Sequence, residues 1–344
     1  MPSRRKVTLN DIADACGVSR ATVSLVLRES PLVHPDTRQR VKDEMRRQGY
    51  VYNRAAAGLR TRTASSVALV INDLSNPFFA EFAAGVDEAL AAAGYVTLLG
   101  SSGESSERQQ AVLSSLVEHH PAAIILSPAE VSDVARIARA IGPSTPLLVF
   151  NRHLTGEAPP DFSYAFLGLD NRAGARQATE HLLQLGHRRI AFFGGHQDSS
   201  SCRERRLGYQ DAMLAHDIRP EPQWIIECAP TRLEAAAQTG ALFIRDPAPT
   251  AAVCYNDAVA LGLTLGLTRR GRHPGHDFAL TGFDNIPEAA VGTPPLTTLD
   301  ADPRERGRQA ATLALEHARN PSADHAPVIA PVQLIERAST CPPP

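Results

Sequence analysis

The stretch from Val7 to Arg28 constrains this 344-residue chain more than any other part of its sequence. Thr8 is suited to cap a helix, Asp11 follows three positions later, and apolar residues then recur at helical spacing. Gly17 supplies the permissive backbone that a sharp turn needs, and Ser19 is suited to cap a second helix. Two short helices joined in this way form a helix-turn-helix. In DNA-binding proteins this motif places its second helix in the major groove, although some αα-hairpins that do not bind DNA share the pattern.

The distribution of charge favours a polyanion as the partner of the N-terminal part. Residues 1–62 hold 13 Lys and Arg against 6 Asp and Glu, a net charge of +7, whereas the remaining residues hold 22 against 31, a net charge of −9. Positive charge alone is not specific for nucleic acid, so it supports the motif without replacing it. The five cysteines form no C-x-x-C pair, and the sequence has neither an apolar signal region nor a run of about 18 apolar residues. We therefore expect a globular, cytoplasmic protein without a disulfide framework, a zinc site or a membrane span.

Residues 31–64 extend the N-terminal part of the chain. Asp36 or Thr37 can cap a third helix, and Gly49 can end it. The following segment, 51–64, is rich in alanine but contains Gly58 and is too short for a stable isolated helix. We expect this segment to be disordered when it is free.

From residue 65 onward, apolar runs of strand length alternate with helix-periodic segments. The predicted strands are 66–71, 96–99, 123–126, 147–150, 165–169, 189–193, 224–227, 251–254 and 278–281. This order predicts two successive doubly wound halves with parallel sheets, the second beginning at Ala165. Ligands of such sheets lie beyond the carboxyl ends of the strands, so two facing halves would form a cleft.

Three motifs together resemble the LacI/GalR (lactose-repressor) family of bacterial transcription regulators. Val7 to Ser24 follow the family signature V-T-x-x-D-[IV]-A-x-x-A-G-V-S-x-x-T-V-S, with Cys16 in place of the usual alanine. The family's hinge motif N-R-x-A-x-x-L is matched by Asn53, Arg54, Ala56 and Leu59. The segment PPLTTLD at Pro294–Asp300 matches a third motif, at a crossing between lobes. The resemblance covers essentially the whole chain and is closest to the maltose-regulon-type repressors.

The resemblance implies an N-terminal all-α helix-turn-helix headpiece followed by an α/β core. That core would have two lobes with parallel sheets, like periplasmic sugar-binding proteins. The expected divisions are a headpiece at 1–50, a hinge helix or linker at 51–64, and an effector-binding and dimerisation core at 65–340. The N-lobe would span about 65–163 and 294–326, and the C-lobe about 164–293 and 327–340. A helix at 303–320 would rejoin the first lobe.

The resemblance also implies how the headpiece would contact DNA. Arg20, Ala21 and Leu25 would read base edges, whereas Leu59 of the hinge would enter the minor groove at the operator centre. Many family members carry an arginine where this chain has Leu25, which is suited instead to a thymine methyl group. The residues expected to contact DNA are Thr8, Ser19, Arg20, Ala21, Thr22, Ser24, Leu25, Thr37, Asn53, Arg54, Ala56 and Leu59.

Polar residues at the predicted strand ends suit a hydroxyl-rich ligand, because carboxylates and amides accept paired hydrogen bonds and arginine donates in a fixed fork. The effector residues expected from the family pattern are Asp73, Ser75, Asn76, Phe78, Phe79, Asn151, Arg152, Arg205, Asn256 and Asp284. Arg205 and Asp284 are the leading pair. Any single polar residue of this set could instead cap a helix or form a turn. Asp257 resembles a cap for the helix that follows it.

The family often places an aromatic residue for ligand stacking near 229–231, where this chain has none. Stacking would then come from Phe78, Phe79, Phe150 or Tyr255, or be absent. Arginines at 203, 205 and 206 crowd one helical turn, which leaves open either a phosphorylated or acidic effector or a solvated helix face.

The expected function is that of a homodimeric transcription repressor acting on a palindromic operator in the bacterial cytoplasm, associated with the nucleoid. A small effector, a sugar or sugar derivative, would control its operator affinity allosterically. No cofactor and no metal are expected, because catalytic and metal-binding motifs are absent from the sequence. The alternatives are a soluble sugar-binding receptor without a DNA-binding role, which would need a signal peptide, and a sugar-active enzyme, which would need a paired acid and base.

Overall fold

Two units make up the chain, Met1–Thr63 and Ala64–Pro344. The computed structural model describes residues 7–50, 64–244, 246–321 and 326–344. The predicted hinge contacts Asn53, Arg54, Ala56 and Leu59 therefore lie outside the described residues.

The headpiece begins with the predicted helix-turn-helix, formed by α1 (Leu9–Cys16) and α2 (Arg20–Leu27). Thr8 and Asp11 form a reciprocal capping box: the Asp11 amide donates to Thr8 Oγ1 at 3.3 Å and the Thr8 amide donates to Asp11 Oδ2 at 2.8 Å. Gly17 ends α1 with φ 62°, a left-handed conformation that favours glycine. The predicted caps and turn are confirmed.

The third headpiece helix, α3, spans Pro35–Gln48 and ends at Gly49 as predicted. Its expected cap at Asp36 or Thr37 is wrong, because the helix begins earlier. His34 caps it by accepting a hydrogen bond from the Asp36 amide, and Pro35 takes the first helical position, where its missing N–H costs nothing. The three helices bury a small apolar core that is formed by Ile12, Ala13, Cys16, Val23, Val26, Val33, Val41 and Met45.

The first sheet of the larger unit contains six parallel strands in the order β11-β5-β4-β3-β1-β2. The strands are β1 (Ser66–Ile71), β2 (Val96–Ser101), β3 (Ile124–Leu126), β4 (Leu147–Phe150), β5 (Ala165–Leu169) and β11 (Val328–Ala330). Its helices are α4 (Pro77–Ala92), α5 (Ser106–Val117), α6 (Val134–Ile141) and α12 (Pro303–Arg319). We call this sheet with its helices the N-lobe.

The second sheet has the order β12-β10-β9-β8-β6-β7 and is parallel except for β12, which pairs with β10 in the antiparallel sense. The strands are β6 (Ile190–Phe193), β7 (Ile225–Ile226), β8 (Ala251–Cys254), β9 (Ala279–Asp284), β10 (Thr297–Asp300) and β12 (Gln333–Ile335). The helices are α7 (Asn171–Gln184), α8 (Ser200–Ala215), α9 (Arg232–Gln238), α10 (Asp257–Thr268) and α11 (Pro287–Val291). Two short 3₁₀ turns, Pro222–Trp224 and Thr239–Phe243, accompany them in the C-lobe.

The predicted boundaries between the lobes are wrong at three places. Strand β5 was assigned to the C-lobe from residue 164, but it pairs with β4, with Leu148 opposite Ala165. Strand β10 was assigned to the N-lobe from residue 294, but it pairs with β9, with Thr297 opposite Thr281. Strand β11 falls in the range predicted for the C-lobe, 327–340, but it pairs with β5 of the N-lobe sheet, with Val328 opposite Leu167. The chain completes a strand before each crossing, so the crossings follow β5, β10 and β11.

Helix α12 packs along α4 in the N-lobe, as the prediction for residues 303–320 required. Glycines permit the close approach of the two helices, because a Cβ at Gly85 would overlap the backbone of Arg304 and one at Gly307 would overlap the backbone of Phe82. The described ranges include no helix long and apolar enough to cross a membrane.

Candidate DNA-binding surface and effector cleft

The outward face of α2 carries the side chains that the sequence assigned to base reading. Arg20 and Ala21 are exposed, and Leu25 is half-buried against the headpiece core. Of the three predicted base readers, Arg20 is therefore the exposed one with hydrogen-bond donors, and Leu25 exposes only part of its side chain.

Several predicted DNA contacts also hold the helices in place. Ser19 Oγ accepts from the Thr22 amide at 3.1 Å and lies 3.0 Å from Thr22 Oγ1. Ser24 Oγ accepts from Arg28 Nη2 at 3.0 Å. The exposed Thr8 donates its hydroxyl to Asp11 at 2.7 Å, and Thr37 is half-buried in the first turn of α3.

The C-lobe side of the cleft is built around Arg205, which α8 carries and which is 3% exposed. Its Nε donates to Asn171 Oδ1 at 2.9 Å and its Nη1 donates to the Tyr255 carbonyl at 2.6 Å. The guanidinium carbon lies 3.5 Å from the ring centroid of Phe283. Nη1 is 3.9 Å from Asp284 Oδ1, so the structure brings the two leading candidates together.

Asp284 ends strand β9 in a strained backbone conformation, with φ 125°. Burial raises the pKa of its carboxyl well above the ordinary value; Arg205 opposes this shift, and the nearby Asp257 adds to it. A buried carboxyl group beside an arginine at a strand end can accept hydrogen bonds, and backbone strain of this kind is concentrated at functional sites.

Asn256, and not Asp257, caps the helix that follows strand β8. Asn256 Oδ1 accepts from the Val259 amide at 2.9 Å and so caps α10. Asp257 is fully buried, accepting from Thr298 Oγ1 at 2.5 Å and from the Ile286 amide at 2.9 Å. The expectation that Asp257 is the cap is therefore wrong. Burial raises its pKa to about 7, although both hydrogen bonds act to lower it.

The N-lobe side of the cleft is formed by loops at the carboxyl ends of β1 to β4. Arg152 is buried, and its Nη1 donates to Glu104 Oε2 at 2.8 Å and to the Pro128 carbonyl at 3.1 Å. Glu104 also accepts from Asn72 Nδ2 at 2.5 Å. Burial alone would lower the pKa of Arg152, but interactions with Tyr255 and Glu104 raise it, so the side chain stays charged.

Polar contacts join the lobes across the cleft. Asn171 Nδ2 donates to Asn151 Oδ1 at 3.2 Å, and the His153 amide donates to Ser200 Oγ at 2.8 Å. A third contact joins His196 of the C-lobe to Glu130 of the N-lobe, with Nδ1 3.2 Å from Oε2. His153 Nε2 lies 3.4 Å from Glu204 Oε1, so its side chain also connects the two sides.

The loop after β1 serves mainly as a turn and helix start. Asp73 Oδ1 accepts from the Ser75 amide at 2.8 Å and from its hydroxyl at 2.7 Å. Asn76 caps α4 by accepting from the Phe78 amide at 3.1 Å. Phe78 and Phe79 are buried, with ring centroids 5.1 Å apart. Both rings pack in the apolar core, and their expected contact with the effector stays a prediction.

The aromatic groups nearest to the leading pair are Tyr255 and Phe283. Tyr255 is among the aromatic residues expected from the sequence to stack on the effector, whereas Phe283 is not among them. Phe150, another candidate, is fully buried against Phe82, with ring centroids 4.1 Å apart.

Six further polar residues lie at or beside the contacts between the lobes and are not among the residues expected from the sequence. They are Glu104, Glu130, His153, Asn171, His196 and Glu204. Glu104, Glu130 and His196 each follow a strand within a few residues, so applying the strand-end rule to β2, β3 and β6 would have found them. Within the described residues, no group of three or more His, Cys, Asp or Glu side chains is arranged to hold a metal ion.

A helix-turn-helix headpiece joined in one chain to a two-lobed core with parallel sheets defines a class of protein, the DNA-binding transcription regulators with a ligand cleft. Family models match both parts. Residues 8–53 match "Bacterial regulatory proteins, lacI family" and residues 179–340 match "Periplasmic binding protein-like domain".

The chain belongs to the lacI family of bacterial regulatory proteins. The maltose regulon regulatory protein MalI of Escherichia coli K12 is 30% identical, over 97% of this chain and 99% of the relative. The HTH-type transcriptional regulator CelR of Thermobifida fusca is 31% identical, over 98% of this chain and 100% of the relative. The expected class, a DNA-binding regulator of transcription and not an enzyme, is confirmed.

Solved structures share the fold along the whole chain. The lac repressor dimer bound to operator and the anti-inducer ONPF superposes with a TM-score of 0.85 at 24% identity, covering 98% of this chain and 100% of the other. The complex of the transcriptional regulator CelR with cellobiose gives a TM-score of 0.72 at 28% identity, covering 97% and 100%. The predicted fold class is confirmed.

Proposed function

We propose that this protein is a homodimeric repressor that binds a palindromic operator, and that a sugar or sugar derivative in the cleft changes its operator affinity. It would act in the bacterial cytoplasm, on operators of the nucleoid. The observation that carries the effector role is the buried Arg205–Asp284 pair, which lies where polar side chains of the two lobes meet. The proposed effector residues are Asp73, Ser75, Asn76, Phe78, Phe79, Asn151, Arg152, Arg205, Asn256 and Asp284.

The contacts between the lobes supply the proposed mechanism of control. Asn151 of the N-lobe and Arg205 of the C-lobe both bind Asn171. An effector that recruits Asn151 would compete with a contact between the lobes, and one that recruits Arg205 would compete for the residue that makes this contact. The effector then favours one arrangement of the lobes by the difference in its affinity for the two arrangements.

Two exposed apolar surfaces of the core support a dimer. Val96 and Leu99 are exposed on β2, the edge strand of the N-lobe sheet. Leu233 on α9 and Leu265 on α10 are exposed on the C-lobe. Unpaired strand edges and exposed leucines are stabilised when a second copy covers them, and a palindromic operator needs two copies of α2.

The names of relatives favour a sugar as the effector. One relative regulates the maltose regulon, and another is solved in complex with cellobiose. The polar strand ends of this chain, with carboxylates and amides as acceptors, suit the same hydroxyl-rich chemistry.

Selection of operator sequences from random DNA with the full-length protein tests the DNA-binding role. The wild type is expected to enrich a palindrome. Arg20→Ala should lose preference at one position in each half-site, weakening binding to the best operator by about 1–3 kcal/mol. Arg139→Ala, which changes an exposed arginine of the core unit, is the matched control and should keep the wild-type preference. A uniform loss over all sequences for Arg20→Ala would make Arg20 a phosphate contact, and failure of the wild type to enrich any sequence would contradict the proposal.

A further inference from the structure

Arg152, one of the two arginines that the sequence assigned to the cleft, is engaged within the protein. Its Nη1 donates both to the Glu104 carboxylate, at 2.8 Å, and to the Pro128 carbonyl, at 3.1 Å. Because the side chain is only 6% exposed, the charge of Glu104 offsets that of Arg152 with little screening by water.

Arg205, the second arginine, is engaged from several sides. Its donors are directed to Asn171 Oδ1 and to the Tyr255 carbonyl. Its guanidinium carbon lies 3.5 Å from the Phe283 ring centroid and 4.9 Å from that of Tyr255. With Asp284 at 3.9 Å as well, this guanidinium presents little of its positive charge to a ligand.

Carboxyl groups outnumber these two arginines where the lobes meet. Glu104 and Glu130 belong to the N-lobe, and Glu204 and Asp284 to the C-lobe. Glu130 contacts His196 at 3.2 Å. The pKa of Glu130 is raised by burial and by the charge of Glu104, so this region already resists further negative charge.

From this arrangement we infer that the cleft selects an uncharged or cationic, hydroxyl-rich effector and rejects phosphorylated or carboxylated sugars, with Glu104 and Glu130 as the specificity-determining residues. The inference rests on the proposed function, whose effector class it narrows. Carboxylate oxygens accept hydrogen bonds from hydroxyl and ammonium groups, whereas a phosphate group offers mainly further acceptors and negative charge. Like charges brought together in a desolvated site lower affinity steeply. For Arg203 and Arg206 the structure favours the solvated helix face over contact with a charged effector, whereas Arg205 is buried and engaged within the C-lobe. Arg203 is exposed, and Arg206 pairs with Glu227 at 3.1 Å.

Calorimetric titration of the full-length protein with inorganic phosphate, glucose, glucosamine and glucose 6-phosphate tests the inference. The wild type is expected to bind glucose 6-phosphate no more tightly than glucose and to show no saturable binding of inorganic phosphate. Glu104→Gln releases Arg152 from its carboxylate, and Glu130→Gln removes a neighbouring charge. Each variant should therefore acquire saturable binding of inorganic phosphate and gain about tenfold or more in affinity for glucose 6-phosphate.

Glu180→Gln is the matched control. It makes the same change of charge on α7, where Glu180 pairs with Arg176 at 2.7 Å, and it should not change phosphate affinity. The unfolding midpoints of the variants show whether each variant keeps the fold. Because Glu104 and Glu130 are changed separately, the inference can still be tested if one variant is unstable.

The outcomes separate this inference from the proposed function. Tighter binding of glucose 6-phosphate than of glucose by the wild type, or Gln variants that behave like the control, would overturn the inference while leaving a sugar-responsive regulator in place. If the Gln variants gain phosphate affinity as expected but no sugar of any class changes operator binding by the wild type, the charge selection stands and the proposed effector role fails.

Discussion

Replacing Arg205 with methionine is expected to destabilise the core unit by about 3 kcal/mol at pH 8 and by clearly less at pH 5. Methionine retains an unbranched apolar stem but has no guanidinium. Asn171 Oδ1 and the Tyr255 carbonyl would lose donors now at 2.9 and 2.6 Å, and the buried Asp284 carboxyl would lose the cation at 3.9 Å.

The magnitude follows from the geometry of the contacts to Arg205. Hydrogen bonds from charged donors contribute about 1.5–3 kcal/mol each, and breaking a buried ion pair costs about 3–5 kcal/mol. The lower part of this range applies, because 3.9 Å is long for an ion pair and the raised pKa of Asp284 lets its carboxyl take up a proton.

The sign of the pH effect follows from the same carboxyl group. A carboxyl whose pKa is raised by folding contributes stability that is fully present below its ordinary pKa and is lost as the pH rises through the raised value. Removal of Arg205 raises the pKa of Asp284 further, so the variant loses more stability at pH 8 than at pH 5.

Urea unfolding of the full-length protein at both pH values measures the effect. Arg203→Met, in the same helix, is the matched control: Arg203 is exposed and donates to the Gln197 carbonyl at 2.8 Å, so its loss should cost less than about 0.5 kcal/mol. Asp284→Asn completes a double-mutant cycle, in which a coupling energy of at least about 1 kcal/mol is expected. Equal losses for the two arginine variants, or a coupling energy near zero, would refute the reasoning. A loss that does not vary with pH would refute the role given to Asp284.

Two further predictions concern other buried or capping groups. Thr8→Ala should destabilise α1 by about 1 kcal/mol, because it removes the capping box. Hydrogen exchange of the α1 amides in the full-length protein should then become about fivefold faster, and the α12 amides serve as the internal reference. Burial raises the pKa of Asp257 to about 7, so its protonated form stabilises the fold, and the wild type should lose stability as the pH rises from about 4 to about 7. In Asp257→Asn this loss of stability should be smaller, because asparagine does not ionise. A pH profile of the unfolding midpoint parallel to that of the wild type would contradict the assignment for Asp257.

The sequence predicts elements well where local signals agree. The strands Ser66–Ile71, Leu147–Phe150 and Ala251–Cys254 have the predicted bounds, since each is a short apolar run between polar or turn-forming residues. The capping box and turn of the headpiece are equally local, because residues three or four positions apart settle them.

The lobe boundaries were not predictable from the order of elements along the chain. Whether β5 pairs with β4 or begins a new sheet depends on hydrogen bonds between separate segments, which the apolar pattern of Ala165–Leu169 does not encode. The short strands Val328–Ala330 and Gln333–Ile335 lack a pattern long enough to distinguish them from loops.

The site was predictable only in part for a different reason. An asparagine at a strand end can bind a ligand or cap the next helix, and the same residue type serves both roles. Asn76 and Asn256 cap helices, whereas Asn151 contacts the opposite lobe. Only the spatial arrangement distinguishes these roles. Arg205 and Asp284 are predicted as site residues because each matches a segment of the family pattern, and the structure places them 3.9 Å apart.

Asn171 connects the proposed effector site to a crossing between the lobes. It is the first residue of α7, directly after the crossing that leaves β5 of the N-lobe. Its carbonyl oxygen accepts from Arg205 at 2.9 Å, while its amide nitrogen donates to Asn151 at 3.2 Å and to Glu204 at 2.8 Å. A ligand that draws Arg205 away would free the carbonyl oxygen of Asn171. The amide nitrogen of the same side chain would still donate to Asn151 of the N-lobe. Because one amide group contacts both lobes, we expect a change at the proposed effector site to reach the crossing directly, without a longer chain of contacts.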